Sequence, residues 1–284
     1  MRAGAFIASR RIACAFGITV SAGTVACGDP TASAPSAREP VLRAYLYAGQ
    51  PVNDIRLTWT TPIGTPDSLA EGASPPINTA TMSLLRNGVR YVLAKAPGDS
   101  GYYRYVGTDL VIREGDVFDL EATVEGQALS ARTVVPVRPT GAAMSATSLT
   151  VPTFTPGSGP PDFTAGSAVV RWKKTSGALY FVTLENTESS PAEIELGLPI
   201  GRGGGRRFIF PPTSADSTRI NVFSLTYYGR YTVRVWRVNE EYAQLYATLQ
   251  QDSRDLNEPI SNVRGGLGVF SAFAADSTSF QVVK

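Results

Sequence analysis

Short runs of alternating apolar and polar residues, each bounded by Gly, Pro, Asn or Asp, fill the chain from Pro40 to its end. Side chains of a strand point alternately to opposite faces, so this period-two pattern predicts β-strands with one buried face. The Gly (27) and Pro (20) content supplies the turns that many short strands need. The pattern therefore predicts an all-β fold.

The strongest local turn signal is Asn87-Gly88, which lies between the runs 80–86 and 89–93. Both residues tolerate a positive φ, and a two-residue β-hairpin turn requires that at both central positions. Glu125-Gly126-Gln127 marks a second tight turn, between the runs 117–124 and 128–135. These turns predict that neighbouring strands in this part of the chain pair antiparallel.

A low-charge stretch rich in Pro, Gly, Ser and Thr divides the strand-forming region in two. We expect a first β-sandwich over residues 40–138, a linker with an edge strand over 139–166, and a second β-sandwich over 167–284. In the second part, Trp172, Tyr180 and the spacing Leu225 to Tyr231 resemble a fibronectin type III domain. The resemblance implies an immunoglobulin-like, antiparallel sandwich with a tyrosine corner at Tyr231.

One segment departs from the strand pattern. Between residues 239 and 251, the larger apolar side chains recur at helical spacing, namely Tyr242, Leu245, Tyr246 and Leu249. Asn239 suits an N-cap, and the acidic pair that follows suits the first turn of a helix. We expect one short helix appended to the second sandwich.

The N-terminus is typical of a secretory signal peptide. Arg2, Arg10 and Arg11 precede an uncharged stretch from Ile12 to Ala26 that is too short to span a bilayer. The residues Thr24-Val25-Ala26-Cys27 resemble the lipobox of bacterial lipoproteins, which implies a signal peptide over 1–26 and lipidation of Cys27. Plain cleavage after Ala26 is the alternative, and the double arginine leaves open export by the twin-arginine pathway instead of the general one.

Cys27 would be the sole cysteine of the mature chain, because Cys14 lies within the signal peptide. A lone thiol in an oxidising compartment is unusual, and lipidation accounts for it. Residues 27–39 are small, polar and proline-bearing, which predicts a flexible tether between lipid and folded domain. The expected location is the outer membrane of the cell envelope, with the protein held by its lipid.

The C-terminal residues 257–273, with the sequence NEPISNVRGGLGVFSAF, resemble the C-terminal motif of a bacterial lipoprotein family known as domain of unknown function 4249. Further matches occur in the same order along the chain, at residues 45–47, 49–52, 77–80 and 126–136. The resemblance implies a surface lipoprotein found near outer-membrane transport systems, and it implies no particular chemistry. Within this motif, Gly265-Gly266-x-Gly268 favours a bulged strand with a close backbone approach over a dinucleotide-binding loop.

The chain has no histidine. This excludes Ser-His-Asp and Cys-His catalysis, histidine-ligated zinc and an imidazole pH switch. The formal charge of +2 becomes −1 in the mature chain, because the signal peptide carries three arginines and no acid. We therefore expect no nucleic-acid partner.

Three sets of residues are candidates for binding, and each has a structural alternative. Five tyrosines are candidates for an aromatic platform that binds sugars or a protein, and packing in the core is the alternative. They are Tyr102, Tyr103, Tyr105, Tyr227 and Tyr228. The arginines of the glycine-rich run 201–207 are candidates for an anion-binding loop, and a solvent-exposed hairpin tip is the alternative. They are Arg202, Arg206 and Arg207. Five acidic residues are candidates for a calcium site, and solvent-exposed turns are the alternative. They are Asp99, Asp109, Asp116, Asp119 and Glu121.

We expect a non-enzymatic, lipid-anchored envelope protein that assists an outer-membrane complex, such as a transporter, or captures a ligand. No catalytic residue, metal or cofactor is expected. The alternative function is a carbohydrate-active hydrolase or a glycan-binding module that uses paired carboxylates and exposed tyrosines.

Overall fold

The computed structural model describes residues 38–61, 74–152, 166–194, 205–248 and 261–284. The signal peptide, Cys27, most of the tether, Arg202 and the last residues of the expected helix lie outside these ranges. Within them, no helix is long and apolar enough to cross a membrane.

Sixteen strands and one α-helix follow each other in the described residues. The first seven strands are β1 (Pro40–Tyr47), β2 (Asp54–Trp59), β3 (Thr81–Arg86), β4 (Val89–Lys95), β5 (Tyr102–Arg104), β6 (Val117–Val124) and β7 (Gln127–Val134). The remaining elements are β8 (Thr140–Met144), β9 (Ser148–Thr150), β10 (Ser167–Lys173), β11 (Leu179–Asn186), β12 (Arg207–Ile209), β13 (Ser217–Asn221), β14 (Gly229–Val238), α1 (Glu240–Thr248), β15 (Val263–Arg264) and β16 (Leu267–Val283). The predicted all-β class is confirmed.

The hairpin turns have the expected backbone conformation. Asn87 and Gly88 have φ values of 51° and 80°, and Glu125 and Gly126 have values of 49° and 87°. Each turn joins strands that pair antiparallel, β3 with β4 and β6 with β7. β13 ends at Asn221, because Asn221 Oδ1 accepts a hydrogen bond from Phe223 N (2.9 Å) and a 3₁₀ turn begins at Val222.

The strands form one large mixed sheet and one small sheet. The large sheet has the order β12-β11-β14-β16-β1-β2-β5-β4-β3-β6-β7-β15, and β9 pairs with the end of β16. Within it, β4 pairs with β3 through Val89–Leu93 and with β5 through Ala94 and Lys95. The small sheet has the order β13-β10-β8.

Most strand pairs are antiparallel, as predicted, and two pairs in the described residues are parallel, β1 with β16 and β9 with β16. In the first of these pairs, the first and last described strands meet. A parallel neighbour comes from a distant part of the chain, so no turn signal in the sequence marks the pairing.

β16 is 17 residues long, about 55 Å at the usual rise of a strand, and it contributes to both hydrophobic cores. Phe270 and Ala272 lie in the first core, and Phe280 and Val282 lie in the second. Because these four positions are all even-numbered, strand alternation places both cores on the same side of the sheet. The sequence division at residue 167 assigns Phe270 and Ala272 to the second module, whereas they pack in the first core.

The second core contains the predicted tyrosine corner. Tyr231 Oη donates to the carbonyl oxygen of Tyr227 (2.9 Å) and accepts from Tyr227 N (3.2 Å). Trp172 packs against Tyr180 with ring centroids 5.6 Å apart. These contacts reproduce the arrangement that the resemblance to fibronectin type III domains implied.

Helix α1 starts where predicted, directly after Asn239, and the side chain of Asn239 also binds β7. Its Nδ2 donates to Thr133 Oγ1 (3.1 Å) and to the carbonyl oxygen of Val134 (2.9 Å) in β7. Thr133 Oγ1 also lies 3.2 Å from Glu241 Oε1, to which it donates. The first turn of the helix is thereby attached to β7.

Candidate binding face

The outer face of the large sheet, opposite the two cores, carries an aromatic cluster where β16, β1, β14 and β11 lie side by side. Its members are Tyr45, Tyr47, Phe181, Trp236, Tyr242 and Phe273. Phe273 is at the centre, with ring centroids 4.7 Å from Tyr242 and 5.2 Å from Tyr47. Trp236 Nε1 donates to Thr183 Oγ1 (3.0 Å), so this buried indole has a hydrogen-bond partner. The cluster gives the outer face its own hydrophobic packing beneath α1.

Beside the cluster, β1, β2 and β5 present four polar and aromatic side chains that we call the Arg–Tyr face: Arg43, Asp54, Arg56 and Tyr102. Arg43 Nη2 donates to Tyr102 Oη (2.7 Å) and lies 3.6 Å from Asp54 Oδ1. The guanidinium carbons of Arg43 and Arg56 lie 5.8 Å and 5.5 Å from the centroid of the Tyr102 ring. Both distances fall within the range of cation–π contact.

Strand register explains why these residues meet. Arg43 pairs with Arg56, and Arg56 pairs with Tyr102, so the three side chains stand in one row across the sheet. The alternation of β1 sends Leu42, Ala44 and Leu46 into the first core and leaves the odd positions on the outer face.

Tyr47 joins the Arg–Tyr face to the aromatic cluster. Its hydroxyl donates to Asp54 Oδ2 (3.1 Å). Burial, and then the negative charge of Asp54, raise the pKa of Tyr47 well above its ordinary value. Tyr47 is therefore a protonated donor over the physiological pH range, and Asp54 is held between this hydroxyl and Arg43.

The structure does not bring the five predicted tyrosines together. Tyr102 lies on the Arg–Tyr face, whereas Tyr103 is buried in the first core, with its hydroxyl donating to the carbonyl oxygen of Ile77 (2.9 Å). Tyr105 packs against Tyr91 and donates to Asp109 Oδ1 (2.6 Å), which raises the pKa of Tyr105 and lowers the pKa of Asp109.

The other two tyrosines belong to the second module. Tyr228 packs against the second core, and Tyr227 forms an isolated bridge with Glu193. A single platform of five rings is therefore wrong, because alternation along β5 sends adjacent tyrosines to opposite faces and the last two lie in a different module.

The described arginines of the glycine-rich run have structural contacts. Arg206 Nη2 donates to the carbonyl oxygens of Glu188 (2.9 Å) and Ser189 (3.0 Å). Arg207 is exposed in the short edge strand β12, and Arg202 lies outside the described residues. The two described arginines thus hold the hairpin together or face solvent.

The acidic residues are dispersed over the first module, each beside its own cation or donor. Asp116 lies 2.9 Å from Arg86, Glu121 lies 2.8 Å from Arg90, Asp119 lies 3.6 Å from Arg132, and Asp99 lies 3.2 Å from Lys95. Within the described ranges, no three Asp, Glu or Cys side chains are grouped so that they would hold a metal ion.

The glycine motif near the C-terminus has the predicted close backbone approach. At Gly265 and Gly268, φ is +76° and +117°. A Cβ atom would lie 2.1 Å from the carbonyl oxygen of Ala128 at the first position and 1.9 Å from that of Leu42 at the second. The glycines allow β15 and β16 to pass tightly against β7 and β1.

Sequence reasoning missed Arg43, Asp54 and Arg56 as members of the face. Alternation in the run 41–47 already separates Arg43, Tyr45 and Tyr47 from the apolar residues between them. The missing information was which strands are neighbours of β1, since only that register brings Arg56 and Tyr102 beside Arg43.

Comparison with known proteins matches the chain to a family and finds likenesses to solved structures, among them one of titin domains. Residues 34–279 match the family described as domain of unknown function (DUF4249). The crystal structure of domains A168-A170 from titin is similar over 87% of this chain and 66% of that chain, with 11% identity and a TM-score of 0.23. No curated protein matches the chain. Because the family match covers most of the sequence, this chain belongs to the family described as domain of unknown function 4249.

Proposed function

We propose that the chain is a lipid-anchored protein of the bacterial cell envelope that binds a protein of the outer membrane through the Arg–Tyr face and catalyses no reaction. The observation that supports binding is the row of Arg43, Arg56 and Tyr102 on the outer sheet face. Arg and Tyr are enriched at the energetically important positions of protein interfaces. Arg43 keeps 45% of its side chain exposed, so a partner can reach it.

The surroundings of Tyr102 favour a protein over a glycan. A sugar stacks on an open ring face, whereas both guanidinium groups lie within 6 Å of the Tyr102 centroid. A partner would instead meet two cations preorganised by an aromatic ring, which suits carboxylates of a protein surface.

The lipid would act by confining the search for the partner. A protein held in the same membrane as its target finds it at a high effective concentration, so a weak interface is sufficient. The sequence from Thr24 to Cys27 and the length of the tether support this part of the proposal.

Cys27→Ser is expected to move the protein from the membrane fraction to the soluble fraction, because the diacyl or triacyl anchor cannot be attached without the thiol. The measurement is fractionation of whole cells followed by mass determination of the mature N-terminus. The matched control is Thr31→Ser, a tether change that should leave the protein with the membranes. Membrane association that survives Cys27→Ser would refute the lipid anchor.

A photo-crosslinking amino acid at Arg104 is expected to give covalent adducts with an outer-membrane protein in living cells. Arg104 is exposed and adjoins the Arg–Tyr face on β5, so the probe leaves Tyr102 intact. Combining the probe with Arg43→Ala and Arg56→Ala should reduce adduct yield at least fivefold. Two lost charged contacts of about 0.5–1 kcal/mol each give an effect of this order.

The control position is Arg219, which is exposed on β13 in the small sheet. Equal adducts from both positions would contradict a specific face. A crosslinked mass that glycosidases remove and proteases do not would support the glycan-binding alternative.

A further inference from the structure

A second surface, separate from the Arg–Tyr face, lies where β16 passes from one module to the other. On one edge, β16 pairs with β1 from Leu267 to Phe273 and with β9 from Gln281 to Val283. On the other edge it pairs with β14 from Phe273 to Val282. Among the described strands, none forms a backbone ladder with the first edge between Phe273 and Gln281, although Ala142 N of β8 donates to Asp276 Oδ2 (2.9 Å) in this stretch. We call this stretch without a ladder the open edge.

The backbone directions at the open edge follow from the hydrogen bonds on either side of it. The carbonyl oxygen of Phe273 accepts from Ala48 N (2.9 Å), and Gln281 N donates to the carbonyl oxygen of Thr147 (2.9 Å). Peptide groups alternate between the two edges of a strand, so Ala275, Ser277 and Ser279 also direct their N–H and C=O groups to this edge. Ser277 N already donates to Asp276 Oδ1 (2.8 Å).

Ala275 is the position where the open edge faces a cleft. The cleft has a volume of about 590 Å³, and Ala274, Ala275, Ala48 and Gly49 are among its lining residues. In the described residues, neither the N–H nor the C=O of Ala275 has a hydrogen-bond partner on this edge. The small side chains allow another backbone to approach closely, and the volume lies in the usual range of ligand sites.

Among the described residues, the nearby linker forms no backbone hydrogen bond with Ala275. Arg138 contributes to the cleft, and Pro136 and Pro139 on either side of it have no N–H to donate to a strand. Exposed strand edges are templates for pairing with another chain, and proteins usually cover or protect them. A pair of charged side chains, Arg138 and Glu114, lines the cleft beside this edge.

The charges at the cleft favour an acidic occupant. Arg138 forms an ion pair with Glu114, and Arg113 is exposed with no side-chain partner among the described residues. Asp276, which directly follows Ala275, also acts on Arg138, so these two carboxylates offset the charge of Arg138. The guanidinium group of Arg113 is left to attract a further carboxylate.

We propose that the open edge of β16 at Ala275 binds an extended segment of a partner protein as an added β-strand, with an acidic side chain of that segment meeting Arg113. Main-chain hydrogen bonds to Ala275 supply the pairing, as in other cases of strand addition to a sheet edge. Ala274 and Ala275 let the backbone of the segment approach closely, and Arg113 selects its charge.

The test is selection of random heptapeptides displayed on phage against the full mature protein, followed by affinity measurement with the selected peptides made synthetically. We expect peptides enriched in Asp or Glu. Their affinity should fall at least tenfold when the peptide backbone is N-methylated at alternate residues, because strand pairing then loses its donors.

Ala275→Pro is the decisive variant, because it removes the N–H that points into the cleft and leaves the ladder with β14, which lies on the opposite edge. We expect at least a tenfold loss of peptide affinity at a melting temperature close to that of the parent. Arg113→Glu changes only an exposed side chain, and we expect a fivefold or greater loss for acidic peptides. Arg219→Glu, on the small sheet, should leave peptide affinity unchanged.

Each other outcome overturns the proposal. A library that yields no binder, or binders that Arg113→Glu and Ala275→Pro leave unaffected, excludes strand addition at this edge. A concentration-dependent dimer that Ala275→Pro abolishes in sedimentation experiments would make the occupant a second copy of this chain. The crosslinking result at Arg104 is independent of these measurements, so the two binding surfaces succeed or fail separately.

Discussion

Gly268→Ala is expected to lower the free energy of unfolding by at least about 3 kcal/mol, through a positive φ and a steric clash that act together. Gly268 has a φ of +117°, which alanine adopts only with strain. Its added Cβ would lie 1.9 Å from the carbonyl oxygen of Leu42 and 2.9 Å from Leu42 N, both backbone atoms of β1. No flexible side chain can move aside, so the parallel β1–β16 pair must separate locally.

The measurement is urea denaturation of the mature domain, with a thermal melt as a second observable. A loss of 3 kcal/mol corresponds to a fall in melting temperature of about 6–12 °C for a domain of this size. Two other glycines separate the causes. Gly88 has a φ of +80° and open space around it, so Gly88→Ala should lower the free energy of unfolding by about 1 kcal/mol. Gly205 has neither a positive φ nor a close neighbour, so Gly205→Ala should change the free energy of unfolding by less than about 0.5 kcal/mol.

If the Gly268→Ala variant were as stable as the Gly205→Ala variant, the close approach of β16 to β1 would be absent. An effect equal to that of Gly88→Ala would assign the cost to backbone conformation alone. Either result would refute the backbone contact between Leu42 and Gly268.

Phe273→Ala is expected to cost about 3–5 kcal/mol, the usual range for truncation of a buried phenylalanine. Only 1% of Phe273 is exposed, and its ring contacts Tyr45, Tyr47, Phe181 and Tyr242. These partners come from β1, β11 and α1, so one cavity would loosen elements of both modules and the helix that covers them.

The matched control is Phe208→Ala. Phe208 is 36% exposed on β12 and has one ring contact, with Phe210 at 4.8 Å, so we expect a loss below about 1.5 kcal/mol. Urea titration followed by tryptophan fluorescence reports on the cluster directly, because Trp236 is a member. A loss from Phe273→Ala no larger than that from Phe208→Ala would mean that the aromatic cluster does not stabilise the domain.

Local elements were predictable because their signals are contained in a few neighbouring residues. Asn87-Gly88 adopts the positive φ values that its residue types favour, and Tyr231 forms the corner that its spacing from Leu225 implied. The Gly265-Gly266-x-Gly268 run likewise lies at a close backbone approach, since few positions other than such contacts require several glycines in a strand.

The candidate surfaces were predictable only in part. Tyr102 and Tyr103 are adjacent and chemically identical, and the sequence gives no reason to prefer one for the surface, whereas the pairing of Ile55 with Tyr103 places the second ring in the core. Arg43 and Arg56 are 13 positions apart in the sequence, and only the β1–β2 register makes them neighbours. The open edge at Ala275 depends on where β1 stops and β9 begins along β16.

The amino-acid sequence by itself determined the strands, the turns, the helix and the close approach at the C-terminal glycines, because alternation, φ preferences and helical spacing act over a few residues. It also carried the family membership, through motifs that run along most of the chain. Only the tertiary structure decided that the first and last strands pair in parallel, that β16 serves two cores on one side of the sheet, and that its outer face and open edge are available. These features depend on which distant segments become neighbours, and that choice is made by the packing of the whole domain rather than by any local pattern.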